Sequence, residues 1–359
     1  MTEAPLRFAI VGCGSIAPTH ADALASLPEA ALVACCDSLP ERAIAFAQKY
    51  GLRPVSLDEM LADPAIDAVT VCTPSGLHAE IGVRALRAGK HVLVEKPMDV
   101  SLPACDALAH AARESGRTLS VVSQHRFDPA SVRVKQSIAQ GELGPLIYAD
   151  ARVPWFRTQE YYDSGDWRGT WAMDGGGALM NQGVHTVDLL RWICGPVQSV
   201  YAQTRTLAHA RMEVEDIACA TLTFASGALG TLTASTALYP GFAARLGVHG
   251  TLGSAVIEGD TLALLAVQGR DLIAGQDANS HALQVAQGGT KAATEGKGQS
   301  ASSHPAAVWG DAHRAQLADF IHCCRTGDTP IVDAQGAREA VELVLAVYQS
   351  ARTGQVVFL

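Results

Sequence analysis

Phe8-Ala9-Ile10-Val11-Gly12-Cys13-Gly14-Ser15-Ile16-Ala17 decides the fold. A short apolar run ends in a G-x-G-x-x-A turn, and a helical pattern over 18–27 follows at once. A strand that feeds a helix through such a turn opens a doubly wound parallel sheet. Gly12 permits the tight turn, Gly14 lets a pyrophosphate approach the backbone, and small Ala17 lets the helix pack closely. The N-terminus of that helix, with Ser15 and Ile16, then faces the phosphates.

Working outward, short apolar runs recur at 32–36, 68–72, 91–94 and 119–122, with helical periodicity at 39–50 and 78–88 between them. This alternation predicts an α/β domain over 1–123, an N-terminal Rossmann domain with a doubly wound parallel sheet. After Ser123 the rhythm changes to a helix over 129–140, a strand over 146–153, an aromatic loop and a glycine-led helix over 175–194. From 197 to 266 the pattern alternates and is rich in Thr, with turns at 225–227 and 249–253, as in meandering strands. Residues 124–359 are therefore expected to form an α+β domain for substrate binding and oligomerisation, with a largely antiparallel, open-faced sheet. The Gly-, Ser-, Gln- and Ala-rich stretch 269–303 is expected to be a mobile loop or surface insertion, followed by helices over 311–324 and 334–351. Two domains also suit 359 residues, more than one core usually organises.

Apolar residues make up 48% and charged residues 18%, a composition that buries cores without suggesting disorder. The net charge is -9, and no Lys/Arg cluster offsets it, which argues against nucleic acid and anionic membrane surfaces as partners and favours a small molecule. Nine scattered cysteines without metal spacing read as reduced thiols, with no metal expected. Residues 1–7 hold no basic, then apolar, export signal, so a cytoplasmic location is expected.

The second strand ends in Asp37, near the distance at which a carboxylate accepts hydrogen bonds from the adenosine ribose hydroxyls. A carboxylate repels a 2′-phosphate, and Ser38 supplies no compensating cation, so NAD(H) is expected over NADP(H). Arg42 is the counterweight to that expectation.

Glu95-Lys96-Pro97 follows the run at 91–94 and places a lysine at the carboxyl edge of the sheet, where such folds bind ligands. Together with the glycine turn, the Thr73-Pro74 and His78 segment, and Gly175-Gly176-Gly177-Ala178-Leu179-Met180-Asn181-Gln182-Gly183-Val184-His185-Thr186-Val187-Asp188, this chain resembles the glucose-fructose oxidoreductase, inositol dehydrogenase and rhizopine catabolism family over nearly its whole length. The resemblance implies that Lys96 and His185 flank the reacting carbon of a sugar, cyclitol or sugar-nucleotide derivative. It also places Thr73, Pro74, His78, Glu95 and Lys96 along the cofactor.

The residue chemistry suits that implication. A neutral imidazole can accept the hydroxyl proton when hydride leaves a secondary alcohol, and an ammonium can stabilise the developing alkoxide. Many relatives carry Asp where this chain has Asn181. An amide cannot accept that proton, so Asn181 is assigned to orientation and an Asp-dependent relay is put in doubt. Trp155-Phe156-Arg157, Tyr161-Tyr162 and Asp166-Trp167-Arg168 concentrate rings and guanidinium groups suited to carbohydrate faces. Trp155, Arg126 and Arg168 join Lys96, Asn181 and His185 as expected substrate contacts, the arginines for a carboxylate or phosphate. The family also holds glycosidases that use NAD transiently and co-regulators that keep the dinucleotide fold. Retention of both Lys96 and His185 argues against a pure sensor. Relatives commonly associate as homodimers or homotetramers, which is the expectation here by analogy.

Overall fold

The computed structural model describes residues 4–270 and 310–359. The chain divides into two compact units, the first made of residues 1–124, 165–176 and 308–342, the second of residues 125–164, 177–307 and 343–359. The sequence reading puts one boundary near 123 and assigns all of 124–359 to the second domain, whereas this division groups two later segments with the first unit. All but the first two residues of the expected loop at 269–303 lie outside the described residues.

The first unit holds β1 (Leu6–Val11), β2 (Ala30–Cys36), β3 (Arg53–Pro54), β4 (Ala68–Val71), β5 (His91–Val94) and β6 (Leu119–Val121), in the order β3-β2-β1-β4-β5-β6. Every pairing is parallel. Strands β4 and β5 are buried along their whole length, as near-continuous apolar runs require when helices cover both faces of a sheet. The strand order reverses between β1 and β4, and a crevice opens beyond the carboxyl ends at such a switch point.

The returning helix Gly310–Thr326 explains the discontinuous unit. Its Leu317, Phe320 and Ile321 join Phe8, Leu24 and Leu27 in one core cluster, with the Phe8 and Phe320 rings 6.1 Å apart. Gln316 closes the edge of the sheet by accepting from the Ser123 amide at 3.0 Å and donating to the Val121 carbonyl at 2.7 Å.

The second unit is built on β7 (Leu146–Pro154), β8 (Val197–Arg205), β9 (Ile217–Phe224), β10 (Leu229–Ser235), β11 (Arg245–Gly250), β12 (Gly253–Glu258), β13 (Thr261–Val267) and β14 (Val357–Phe358). Their order is β13-β12-β11-β7-β10-β9-β8-β14, antiparallel except where β7 and β10 run parallel. The helix Val184–Cys194 packs on β7 and β11. On the sheet, Tyr148, Tyr201 and Leu229 are exposed. Among the described residues no helix is long and apolar enough to cross a membrane.

Candidate active site

In the first unit the expected cofactor residues gather at the carboxyl edge of the sheet. Gly12 leaves β1 with φ +91°, and a Cβ there would lie 2.7 Å from the Cys72 carbonyl oxygen at the end of β4, so only glycine fits. Gly14 is the opposite case, because a Cβ added there would meet nothing within 4 Å. Asp37, at the end of β2, is bonded into this turn. Its carboxylate accepts from the Cys13 amide at 2.8 Å and from the Leu39 amide at 2.9 Å. Ser38 lies beside it, 3.5 Å from Asp37 Oδ1, and Ser15 is exposed at the mouth of the turn. Ile16 is the residue from which the helix Ala17–Ala25 departs. The buried Thr73 hydroxyl, just past β4, has no hydrogen-bond partner among the described residues. Open space over Gly14, a carboxylate at the end of β2 and an uncommitted hydroxyl at the switch point fit a dinucleotide.

His78 and Glu95 are fixtures of this edge. The buried His78 ring lies 2.9 Å from the Thr73 carbonyl through Nε2 and 2.8 Å from the Pro97 carbonyl through Nδ1, and so ties the Thr73-Pro74 loop to the turn after β5. Burial lowers its pKa against the pull of those carbonyls. Glu95 Oε1 meets His20 Nε2 at 2.7 Å, and its other oxygen accepts from the Lys96 amide at 3.0 Å. Burial disfavours charge on both partners. The Glu95 carboxylate nevertheless helps raise His20, and His20 in turn holds Glu95 below the ordinary carboxylate range. The backbone of Lys96 is thus pinned from both sides, while its side chain is half-buried. Trp167 and Arg168 also belong to this unit, with the guanidinium 4.4 Å over the indole.

In the second unit, a buried carboxylate organises the glycine-led segment. Glu215 accepts from the amides of Gly177 at 3.0 Å and Leu179 at 2.8 Å and from the Tyr348 hydroxyl at 2.9 Å. These are the orphan donors at a helix start, where negative charge is favoured. Burial still pushes the Glu215 carboxyl up to about 7 against those donors. A Cβ on Gly177 would stand 1.9 Å from the Glu215 carbonyl oxygen, so the chain can enter here only through glycine.

Ala178–Gly183 winds as a π-helix before the α-helix Val184–Cys194 begins. The sequence pattern suggests one continuous helix. The π turn shifts the register between Asn181 and His185, so their four-residue spacing is not that of an α-helical face, and such turns are frequent at functional sites. Asn181 is buried, and its Oδ1 accepts from Gln182 Nε2 at 2.8 Å. Gln182 also donates to the Tyr161 hydroxyl at 2.9 Å and accepts from Arg157 Nη2 at 2.8 Å. Gln182, Arg157 and Glu215 are thus supports that the sequence reading did not assign. The sequence signals for them are Gln182 lying between two expected site residues and Arg157 lying in the aromatic stretch, and Glu215 has none. Trp155 sits under the Arg157 guanidinium at 5.0 Å, and its buried indole N–H has no acceptor among the described residues, leaving a donor for a ligand.

Arg126, an expected substrate contact, is bonded to a carboxylate of its own unit. It donates through Nε to Asp188 Oδ2 at 2.8 Å and through Nη2 to Oδ1 at 2.6 Å, both side chains are buried, and its guanidinium lies 5.7 Å from the Trp192 ring centroid. That forked pair spends on the protein's own carboxylate the geometry that would grip a substrate anion. His185, at the first turn of Val184–Cys194, packs against the His125 ring with centroids 5.2 Å apart and the ring planes at 89°.

A parallel sheet with its switch-point turn and a carboxylate at the end of β2, followed by a mixed sheet carrying a glycine-entered helix, defines a dinucleotide-binding oxidoreductase. The sequence matches the model described as the oxidoreductase family with an NAD-binding Rossmann fold over residues 6–123, and that of the GFO/IDH/MocA C-terminal domain over residues 131–256. The chain belongs to the GFO/IDH/MocA oxidoreductase family. It is 30% identical over 369 residues to scyllo-inositol 2-dehydrogenase (NAD(+)) of Bacillus subtilis, covering 99% of this chain and 97% of the relative. Inositol 2-dehydrogenase of Rhizobium meliloti is 30% identical over 70% of this chain and 76% of its own length. Among solved structures, the WlbA dehydrogenase from Bordetella pertussis in complex with NADH and UDP-GlcNAcA superposes with a TM-score of 0.83 at 33% identity, over 99% of each chain.

Proposed function

We propose that this chain is an NAD(H)-dependent dehydrogenase for a secondary alcohol of a sugar, cyclitol or sugar nucleotide, and that it also runs the reverse reduction. The observation that carries this reading is the Gly12–Ala17 turn with open space over Gly14 and the Asp37 carboxylate bonded into it, which suits a cofactor bearing free ribose hydroxyls. NAD(H) is preferred over NADP(H), since a 2′-phosphate would meet that carboxylate. Sugar nucleotides enter the range because WlbA, a relative 33% identical over nearly the whole chain, binds one.

When bound, the nicotinamide supplies the hydride acceptor or donor. The chain's residues manage the proton and the charge. In oxidation His185 takes the proton of the reacting hydroxyl as the C–H electron pair leaves, and in reduction it returns that proton to the carbonyl oxygen. Lys96 donates a hydrogen bond to the same oxygen and stabilises the negative charge that develops on it. Asn181, oriented by Gln182, holds the substrate and carries no proton. Trp155 offers a ring face and a free indole N–H, and Arg168 remains a candidate for a substrate anion, whereas Arg126 is assigned to the fold.

A panel of sugars, cyclitols, uronates and nucleotide sugars, scored for reduced cofactor with NAD and NADP, tests the reading. At least one substrate should turn over, with the higher kcat/KM on NAD. Lys96→Ala should abolish turnover while leaving NADH affinity nearly intact, and His185→Asn should lower kcat by a factor on the order of a hundred. Near-normal rates in both variants, or a clear NADP preference, would defeat it.

A further inference from the structure

His125 opens the second unit, in the short 3-10 turn Gln124–Phe127. Its Nδ1 lies 2.7 Å from Asp128 Oδ2 and 3.4 Å from Asp260 Oδ1. Two carboxylates on one ring nitrogen make that nitrogen a proton-bearing donor. Asp128 is the N-cap of the helix Pro129–Ala139, yet its side chain makes no cap hydrogen bond. An aspartate in that place ordinarily accepts from the first-turn amides. Here the carboxylate faces His125 instead. Asp260 comes from a separate element, the turn between β12 and β13. The far side of this assembly is the perpendicular contact with the His185 ring, at 5.2 Å between centroids.

We propose that His125 is a positioning residue for His185: held by Asp128 and Asp260, it presents a positively charged ring to His185, fixes its orientation, and keeps it neutral so that it can accept a proton. This rests on the reading of His185 as the base. The charges around His125 are Asp128 at its own turn, Asp260 from the β12–β13 turn, Asp188 from Val184–Cys194, and Arg126, which is paired to Asp188. Burial opposes charge on His125, but the Asp128 hydrogen bond and the three carboxylates outweigh it and raise its pKa. A second positive charge on His185, one ring away, is then disfavoured, so His185 stays unprotonated to lower pH than it otherwise would. The arrangement also suits the presence of Asn181, which brings no negative charge that would pull the base toward its protonated form.

The test is the pH dependence of kcat/KM for alcohol oxidation, whose acid limb reports protonation of the base in the free enzyme. His125→Gln should move that limb to higher pH by about one unit. His125→Lys, which restores a cation, should bring it back toward the parent value. Asp260→Asn, a change at a half-exposed turn that threatens the fold least, should shift the limb the same way by a smaller amount. Titration of the His185 ring by nitrogen-15 NMR of the NADH-bound enzyme gives the same shift without reference to turnover. A limb and a ring titration that stay put in both His125→Gln and Asp260→Asn would overturn the proposal, as would a fall in kcat with an unmoved limb, which marks His125 as packing alone. If His125→Gln does not fold, Asp260→Asn decides. Parent-like rates in His185→Asn would remove the base itself and the proposal with it, and are distinguishable because that result does not depend on His125.

Discussion

Replacing Arg126 with methionine separates two roles that the same side chain could play, gripping a substrate anion or closing the fold. The structure puts two guanidinium hydrogen bonds, at 2.8 and 2.6 Å, on a carboxylate as buried as the guanidinium, with relative side-chain exposures of 6% and 5%. Methionine fills much of the volume but takes the guanidinium away from a buried, charged Asp188, and breaking a buried pair from one side costs about 3–5 kcal/mol. Loss of the contact over Trp192 adds about 0.5–1 kcal/mol. With about 2–4 °C lost per kcal/mol in a unit of this size, the melting transition should fall by about 10 °C. Differential scanning calorimetry measures this. Arg126→Met with Asp188→Leu should recover most of the loss, because neither charge is then stranded. KM for the substrate should stay within about twofold of the parent, since an interaction within the fold contributes nothing to ground-state binding. A variant that melts like the parent while KM rises tenfold or more would refute the structural assignment and return Arg126 to the substrate site.

Two further outcomes are expected. Glu215→Ala removes the acceptor of two helix-entry amides and of the Tyr348 hydroxyl, and should cost about 2–4 kcal/mol and speed amide exchange at Gly177 and Leu179; unchanged exchange there would show that the carboxylate does not hold the turn. His91 accepts the Thr118 amide at 3.0 Å, and burial, helped by Arg117, lowers its pKa from 6.5 to about 4. The unfolded chain therefore takes up this proton first, and His91 should weaken the fold by up to about 3 kcal/mol as pH falls from about 6.5 to 4. The difference in unfolding free energy between the parent and His91→Gln should carry that slope, and a flat difference would contradict it.

Much of the first unit was legible because its strands are short apolar runs, each closed by residues of restricted conformation. The Gly12 turn, Asp37 and the strand His91–Val94 fall where the pattern puts them. Strand β3 gives no such signal, because Arg53 and Pro54 are both exposed and only pair along an edge. The π turn was equally hidden: Ala178–Gly183 carries no residue that marks such a winding, and the Gly177 and Leu179 amides at its entry are held by Glu215, which lies 32 residues beyond the end of the turn at Gly183. Arg126 shows the limit for site residues. A guanidinium near a site suggests an anion, but only coordinates reveal that Arg126 is forked onto Asp188 of the same chain.

The return of Gly310–Thr326 to the first unit bears on how this protein can be cut and recombined. A fragment ending near residue 124 would leave Phe8 and Leu24 facing water where Leu317 and Phe320 belong, and would present that sticky patch to other copies. A transplant of the nucleotide-binding half into another scaffold has to bring residues 165–176 and 310–342 with it as further pieces. The modular unit here is a volume assembled from distant stretches of chain, and its seams cannot be found by dividing the sequence at one point.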